Sequence, residues 1–199
     1  LNRMVFIRLV TFVAVLMVWG STWAQPQSSE KNDDRKKQAL AHKTEVLLPD
    51  VWLRDQENRE IRFPTFFEER IVIVNFVFTT CSTVCPVLSA TLQALEKQLQ
   101  GQLGKEIVLV SISVDPLNDT PEKLQAYAKK LNAGPHWYWL TGRAADVSQV
   151  LRAFGIPSGG RPEDHPPVIL AGSPHNGKWL RWVGIPPIQS IVDALDVLY

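Results

Sequence analysis

"IVIVNFVFTTCSTVCPV", residues 71–87, joins a long apolar run to the two cysteines of the chain. Ile71–Phe78 is rich in β-branched and aromatic residues, which is typical of a strand buried on both faces. Beyond Cys85 the pattern changes to leucines spaced four, three and four residues apart, the period of an amphipathic helix. The stretch therefore predicts a buried strand, a turn that carries Cys81, and a helix that begins near Pro86.

Strands and helices continue to alternate after this unit. "IVLVSISV" (107–114) predicts a second buried strand, and Thr120 with Pro121 predicts the start of a helix. The later pattern predicts, in order, a short strand, a helix, a strand hairpin and a final helix (137–140, 144–154, 167–170 with 178–183, and 186–199). A further hairpin is expected around 56–58, before the first buried strand. This order predicts an α/β, thioredoxin-like fold: a central mixed sheet with helices on both faces and an N-terminal β-hairpin.

The first 44 residues differ in composition from the rest. Residues 1–24 combine arginines, a short apolar run and small residues, which predicts a secretory signal peptide or, if uncleaved, a membrane tether at residues 4–20. Residues 25–44 are polar without apolar periodicity, which predicts a disordered linker. The folded domain is expected at 45–199, in the periplasm or another extracytoplasmic space. The formal net charge of +1 gives no broad basic field, so nucleic acid is not expected as a partner.

The cysteine pair allows several chemistries. Ligand sites in open α/β sheets lie beyond the carboxyl ends of strands, which is where Cys81 and Cys85 are expected. Amides at a helix entrance favour the thiolate, which metal binding and thiol chemistry both require. The spacing permits a disulfide as well as two ligands for one metal. Thiolates suit copper(I) or zinc, and a third ligand would have to come from elsewhere in the chain.

Among the four histidines, His165 is the best candidate for that third ligand. It stands immediately before the fourth core strand, and in a thioredoxin-like layout this loop approaches the cysteine turn. His42 falls in the predicted linker, His136 precedes a strand and His175 lies at a hairpin tip, so these three are interpreted as loop histidines. Asp115, at the end of the second buried strand, is either an outer partner of the site or a turn residue.

Three segments together resemble the Sco/SenC family of copper chaperones for cytochrome c oxidase assembly. They are "NFVFTTCSTVCP" (75–86), "VSISVDPLNDTPEKLQAYA" (110–128) and "DHPPVILAG" (164–172). The resemblance covers the whole predicted domain. It implies a thioredoxin fold in which Cys81, Cys85 and His165 bind copper. It also implies a partnership with the copper-site subunit of a terminal oxidase, and with another periplasmic copper carrier or a thiol reductant.

Two functions follow, and they leave open whether the protein is an enzyme. The first is a copper-binding assembly factor that delivers copper to, or reduces the cysteines of, the dinuclear copper site of a respiratory oxidase. The alternative is a periplasmic thiol-disulfide oxidoreductase, which needs both cysteines and no histidine. Pro166-Pro167 before the last core strand resembles the cis-proline of such enzymes. A peroxidase-like enzyme would need an arginine near one cysteine, and Arg143, Arg152 and Arg161 have no spacing that distinguishes them. A purely structural disulfide would close a very small loop and stabilise little.

Overall fold

The computed structural model describes residues 41–198, which make up nearly all of the predicted domain. Residues 1–40 and Tyr199 lie outside the described residues, and with them the predicted signal segment and most of the predicted linker. Within residues 41–198, no helix is both long enough and apolar enough to cross a bilayer.

Regular elements alternate along the described chain in nearly the predicted order. The strands are β1 (His42–Glu45), β2 (Val51–Arg54), β3 (Glu60–Phe63), β4 (Ile71–Val77), β5 (Ile107–Ser113), β6 (Trp137–Leu140), β7 (Val168–Gly172) and β8 (Lys178–Val183). The α-helices are α1 (Cys85–Gln98), α2 (Pro121–Lys130), α3 (Ala144–Ala153) and α4 (Ile188–Leu195). Short 3-10 turns occupy Thr65–Phe67 and Pro162–Asp164.

Six of these strands form one mixed sheet in the order β1-β8-β7-β4-β5-β6. The strands β4, β5 and β6 run parallel, whereas β7 is antiparallel to β4, β8 to β7 and β1 to β8. The hairpin β2-β3 stands apart, but the main chains of Arg54 and Thr141 exchange hydrogen bonds of 2.7 and 2.9 Å. The predicted α/β, thioredoxin-like fold with a mixed central sheet and an N-terminal hairpin is confirmed.

Strand β4 shows why the sheet is covered on both sides. All seven of its residues are buried, and successive side chains point to opposite faces. Val72, Val74 and Phe76 pack with the hairpin β2-β3 and α3. Ile71 and Ile73 pack with α1, α2 and α4 on the other face. A strand between two apolar layers does not alternate with polar residues, which explains an apolar run that only Asn75 interrupts.

One boundary predicted from the sequence is wrong. His42, Lys43 and Thr44, assigned to the disordered linker, belong to β1 and pair in register with β8, opposite Arg181, Leu180 and Trp179. The segment was missed because an edge strand of four mostly exposed polar residues carries no apolar pattern. The four tryptophans of the strands are buried and serve packing (Trp137, Trp139, Trp179 and Trp182).

We expect Leu92→Ala to lower the free energy of unfolding by about 2–5 kcal/mol, because the change leaves a cavity between α1 and the sheet. Leu92 is fully buried, whereas Leu47 is 93% exposed and serves as the matched control. Leu47→Ala should change stability by less than about 0.5 kcal/mol. Urea denaturation followed by tryptophan fluorescence measures both, and equal effects would contradict the assigned core.

Candidate metal centre

Cys81 and Cys85 lie where β4 ends and α1 begins, at the carboxyl edge of the parallel strands. The amide of Cys81 donates to the carbonyl of Phe78 at 3.1 Å, which folds the chain back after the strand. Cys85 is the first residue of α1, and its amide donates to the Cys81 Sγ at 3.4 Å. The first amides of a helix have no acceptor within that helix, so the Cys81 sulfur satisfies one of them. Both cysteines are buried free thiols that pack with Phe78.

The two thiols differ in acidity because one accepts a hydrogen bond from the other. Burial alone would raise the pKa of Cys81, but hydrogen bonds from the Cys85 thiol and from the amides of Thr83 and Cys85 outweigh burial and lower it. Burial, together with donation to Cys81, raises the pKa of Cys85 to about 12. The sequence favoured thiolate at both positions. That expectation holds in direction for Cys81 and is wrong for Cys85, whose sulfur is fully enclosed.

His165 follows the 3-10 turn Pro162–Asp164 and precedes β7. Its Nδ1 lies 2.6 Å from the carbonyl oxygen of Pro162, so Nδ1 carries the proton and donates. The other ring nitrogen, Nε2, is buried and has no hydrogen-bond partner. The imidazole packs edge-to-face against Phe78, with ring centroids 5.8 Å apart. Phe78 therefore contacts both cysteines on one side and His165 on another.

Asp119 is the residue of this region that the sequence analysis missed. Its carboxylate is 2% exposed and accepts hydrogen bonds from the Thr79 hydroxyl and the Ser113 hydroxyl, both at 2.6 Å. The Thr79 amide also donates to it, at 3.2 and 3.3 Å. The main-chain carbonyl of Asp119 accepts from the Thr141 hydroxyl at 2.9 Å. Asp119 thus ties the start of the cysteine loop to the ends of β5 and β6.

Asp115, the predicted outer partner, has a local role instead. Its carboxylate accepts from the Asn118 side-chain amide at 3.0 and 2.9 Å, and its own amide donates to the Ser113 hydroxyl. The turn interpretation therefore describes Asp115 better. The sequence signal for Asp119 was available in "DPLNDTP" (115–121), where Asp119 directly precedes the N-cap of a helix, but nothing there distinguishes it from Asp115.

The three predicted ligands, Cys81, Cys85 and His165, pack with the side chain of Phe78, but their ligating atoms do not converge on one point. Within residues 41–198, no three His, Cys, Asp or Glu side chains converge closely enough to hold a metal ion. Of the arginines that a peroxidase-like site would need, Arg143 and Arg161 pair with Asp146 and Asp164. Arg152 donates to the Ser158 hydroxyl.

Of the histidines interpreted as loop residues, His175 lies in the turn between β7 and β8, whereas His42 lies in a strand. His42 belongs to the edge strand β1, and His175 is exposed 3.8 Å from Glu68. Across residues 41–198, the only cis peptide bond joins Phe63 to Pro64. The resemblance of Pro166-Pro167 to the cis-proline of thiol oxidoreductases therefore does not extend to the geometry of the peptide bond.

Fold and site together define a thioredoxin-like protein with a dithiol at a helix entrance and a histidine nearby. The model of the SCO1/SenC family matches residues 50–169, more than half of the chain, so the chain belongs to the SCO1/SenC family. It is similar to an "SCO2-like protein" of Rickettsia typhi, 26% identical over 150 residues, covering 75% of this chain and 72% of that protein. The chain spans about half the length of two other curated relatives that it matches, 54% of one and 46% of the other.

Solved structures support the same fold. The copper-bound structure of ScoI from Arabidopsis thaliana superposes with a TM-score of 0.64 at 22% identity, covering 75% of this chain and 96% of that one. BsSco, described as a member of the Sco family of cytochrome c oxidase assembly proteins with a disulfide switch, gives a TM-score of 0.65 at 21% identity. That comparison covers 80% of this chain and 96% of BsSco.

Iodoacetamide should alkylate Cys81 of the reduced protein at neutral pH and leave Cys85 unmodified. The lowered pKa of Cys81 supplies thiolate there, whereas a thiol with a pKa of about 12 stays protonated. Mass mapping should find one modified cysteine in the wild type and in Cys85→Ser, and none in Cys81→Ser. Equal labelling of both cysteines in the wild type would contradict the hydrogen-bonded asymmetry.

Asp119→Ala should lower the free energy of unfolding by about 1.5–3 kcal/mol, because it leaves buried donors on Thr79 and Ser113 without an acceptor. Asp115→Ala is the matched control, since Asp115 is only partly buried and bonds within its own turn. Its effect should stay within about 0.5 kcal/mol. Chemical denaturation of the two reduced variants and the wild type measures both effects. A larger loss of stability in Asp115→Ala than in Asp119→Ala would refute the role given to Asp119.

Proposed function

We propose that this chain binds copper through Cys81, Cys85 and His165 and hands it to the dinuclear copper site of a respiratory oxidase. The observation that carries the proposal is the Nε2 of His165. Since Nδ1 donates to Pro162, Nε2 holds a lone pair that is buried beside the thiol cluster without a donor. A buried acceptor without a partner costs free energy, and a metal ion would satisfy it. A ligating histidine whose other nitrogen donates to a carbonyl is the usual arrangement in metal sites.

The donor set suits copper better than other ions. Two thiolates and one imidazole are soft to intermediate ligands, which favour copper(I), and three ligands do not complete a closed tetrahedral zinc site. Because the three side chains do not converge in the structure, coordination by all three requires the segment before β7 to close toward the cysteine loop. A site that must close on its cargo can also open, which a protein that transfers copper needs.

Family membership supports the same conclusion. The matched residues 50–169 include both cysteines and His165. An Arabidopsis relative of the same fold has been solved with copper bound, and BsSco is described as belonging to oxidase assembly proteins. We further propose an extracytoplasmic site of action, supported by the signal-like residues 1–24, with the copper-site subunit of an oxidase as recipient and another periplasmic copper carrier as donor.

The acidity difference within the dithiol favours a second candidate function, reduction of a client disulfide. The Cys81 thiolate would attack one sulfur of the client and release the other as a thiolate, forming a mixed disulfide. Cys85, once deprotonated, would attack the Cys81 sulfur, giving a Cys81–Cys85 disulfide and a fully reduced client. Two electrons pass to the client, and a thiol reductant would have to restore the dithiol.

Copper titration of the anaerobically reduced chain tests the first function. We expect one copper(I) per chain, and a loss of affinity of more than about 100-fold in each of Cys81→Ala, Cys85→Ala and His165→Ala, since even outer partners of metal ligands cost up to that much. His175→Ala is the matched control and should bind as the wild type does, because His175 lies exposed at the β7–β8 turn. Wild-type affinity in His165→Ala would remove the histidine from the site.

The same His165→Ala variant separates the two functions. A reductase needs both thiols but not the imidazole, so reduction of a disulfide-bonded client domain should persist in His165→Ala and stop in Cys81→Ser. Full disulfide reduction together with lost copper binding assigns both activities to the site. Absence of reduction by the wild type leaves copper transfer as the function.

A further inference from the structure

We infer that the edge strand β1 pairs in antiparallel register with β1 of a second copy of this chain, so that two six-stranded sheets join into one. β1 is the outermost strand of the main sheet and bonds to β8 on one side only. A strand edge with unpaired amides and carbonyls is a template for another strand. This surface is separate from the thiols, because β8 and β7 lie between β1 and β4, a distance of about 14 Å at the usual strand spacing.

The two edges of the main sheet differ in what covers them. At β6, the side chain of Gln56 takes the place of a strand: its nitrogen donates to the carbonyl of Trp137 at 3.3 Å, and its oxygen accepts from the amide of Trp139 at 2.9 Å. Along β1, no hydrogen bond from residues 41–198 reaches the main chain apart from the ladder with β8. The main sheet can therefore accept a strand at β1 but not at β6.

The ladder with β8 determines which main-chain groups of β1 point outward. The amide of Val46 donates to the carbonyl of Gly177 at 3.1 Å, so these two residues form a hydrogen-bonded pair. Such pairs alternate along an antiparallel ladder, which turns the amide and carbonyl of Thr44 toward β8. The amides and carbonyls of Lys43 and Glu45 therefore point away from β8, and the side chains of both residues are exposed.

Charge selects one register for the second copy. A two-fold antiparallel pairing through these outward groups sets Lys43 opposite Lys43, Glu45 opposite Glu45, or each opposite the other. The first two registers place like charges directly across from each other, which is destabilising. The third forms a hydrogen-bonded Lys43–Glu45 pair on each side of the two-fold axis and sets Thr44 opposite its own copy, a favourable pair. This pairing closes at two copies, because the β6 edge is covered.

The neighbouring charges on β8 are compatible with this register. Lys178 is the residue of β8 opposite Glu45, and Leu180 is opposite Lys43. Across the joined sheet one row of side chains would read Lys178, Glu45, then Lys43 of the second copy, so the charges alternate in sign. The two lysines of that row stand two strand spacings apart, about 10 Å, with the carboxylate of Glu45 between them. Within residues 41–198, no ion pair engages Lys43, Glu45 or Lys178.

An apolar groove on the same face adds surface for the second copy to cover. The groove has a volume of about 450 Å³, and Lys43, Leu180, Val197 and Leu198 are among the residues that line it. Val197, just beyond α4, is 69% exposed. A strand added at β1 would form an outer wall of this groove and bury part of that apolar surface.

Exchange of main-chain amides with deuterium, followed by NMR, gives the local readout. In the reduced full chain, exchange at Lys43 and Glu45 should slow as protein concentration rises from about 10 μM to about 1 mM. The amide of Trp139, at the covered edge, is the control and should exchange at a rate that does not depend on concentration. Protection of Lys43 and Glu45 at every concentration would mean that a segment of the same chain occupies the edge, and would overturn the inference. Fast exchange of both amides at about 1 mM would overturn it as well.

Charge-reversed variants test the register by sedimentation of the full chain. Lys43→Glu sets glutamate opposite glutamate and Glu45→Lys sets lysine opposite lysine, so each should weaken self-association at least about tenfold, since symmetry counts the repulsive pair twice. A mixture of the two variants restores opposite charges in both pairs and should regain most of the lost affinity. The double variant Lys43→Glu/Glu45→Lys should regain it alone. Association that is no stronger in the mixture than in either variant would refute the register and with it the pairing.

Two further variants serve as matched controls. Glu69→Lys and Lys105→Glu make the same changes of net charge at exposed positions before β4 and β5, and each should alter self-association by no more than about twofold. Effects as large as those of the β1 variants would contradict the pairing. Every variant should bind copper(I) as the wild type does, because β1 is separate from the candidate metal centre. Absence of copper binding by the wild type would refute the proposed function and leave the pairing of β1 intact.

Discussion

The pairing of β4 with β7 is the constraint on which the candidate site depends. In its antiparallel register Val74 lies opposite Leu170 and Asn75 opposite Ile169. Just beyond the paired residues, the imidazole of His165 packs on Phe78, the residue that follows β4. A slip of one residue would exchange the two faces of β7 and carry His165 away from Phe78. Because β4 and β7 are buried along their whole length, such a slip would expose apolar surface on both strands.

Hydrogen bonds determine the acidity of the two thiols in the cysteine loop and the free nitrogen of His165. The free amide of Cys85 at the start of α1 stabilises charge on the Cys81 sulfur, whereas the enclosed Cys85 keeps its proton. In the segment before β7, the Pro162 carbonyl accepts the proton of Nδ1 of His165 and leaves Nε2 as the free ring nitrogen. The site thus offers one thiol whose pKa is lowered, one thiol that stays protonated, and one imidazole nitrogen without a hydrogen-bond partner. Binding of a cation would draw the proton from Cys85, because a nearby positive charge favours the thiolate.

Much of the fold and the position of the thiol loop could be predicted from local sequence patterns. The other features of the site depend on contacts between residues distant in the sequence. The continuous apolar run of β4 and the leucine period of α1 identified the thiol loop, since burial on two faces and on one face leave different periodicities. The role of Asp119 could not be predicted. Its partners Thr79 and Ser113 are brought to it by the β4–β5 pairing, and only that pairing distinguishes it from Asp115. The edge strand β1 was missed because it has no apolar face. Only its pairing with β8 makes it a strand, and that pairing cannot be read from a local pattern.

X-ray absorption at the copper edge tests most directly whether the histidine and both sulfurs meet on one ion. For the anaerobic copper(I) form of the full chain at one ion per chain, we expect two sulfur scatterers and one nitrogen scatterer with the outer-shell pattern of an imidazole. In His165→Ala the imidazole pattern should vanish while both sulfurs remain. A wild-type spectrum with sulfur scatterers and no imidazole contribution would contradict the account, because the pairing that carries His165 to the cysteine loop would then serve the fold alone.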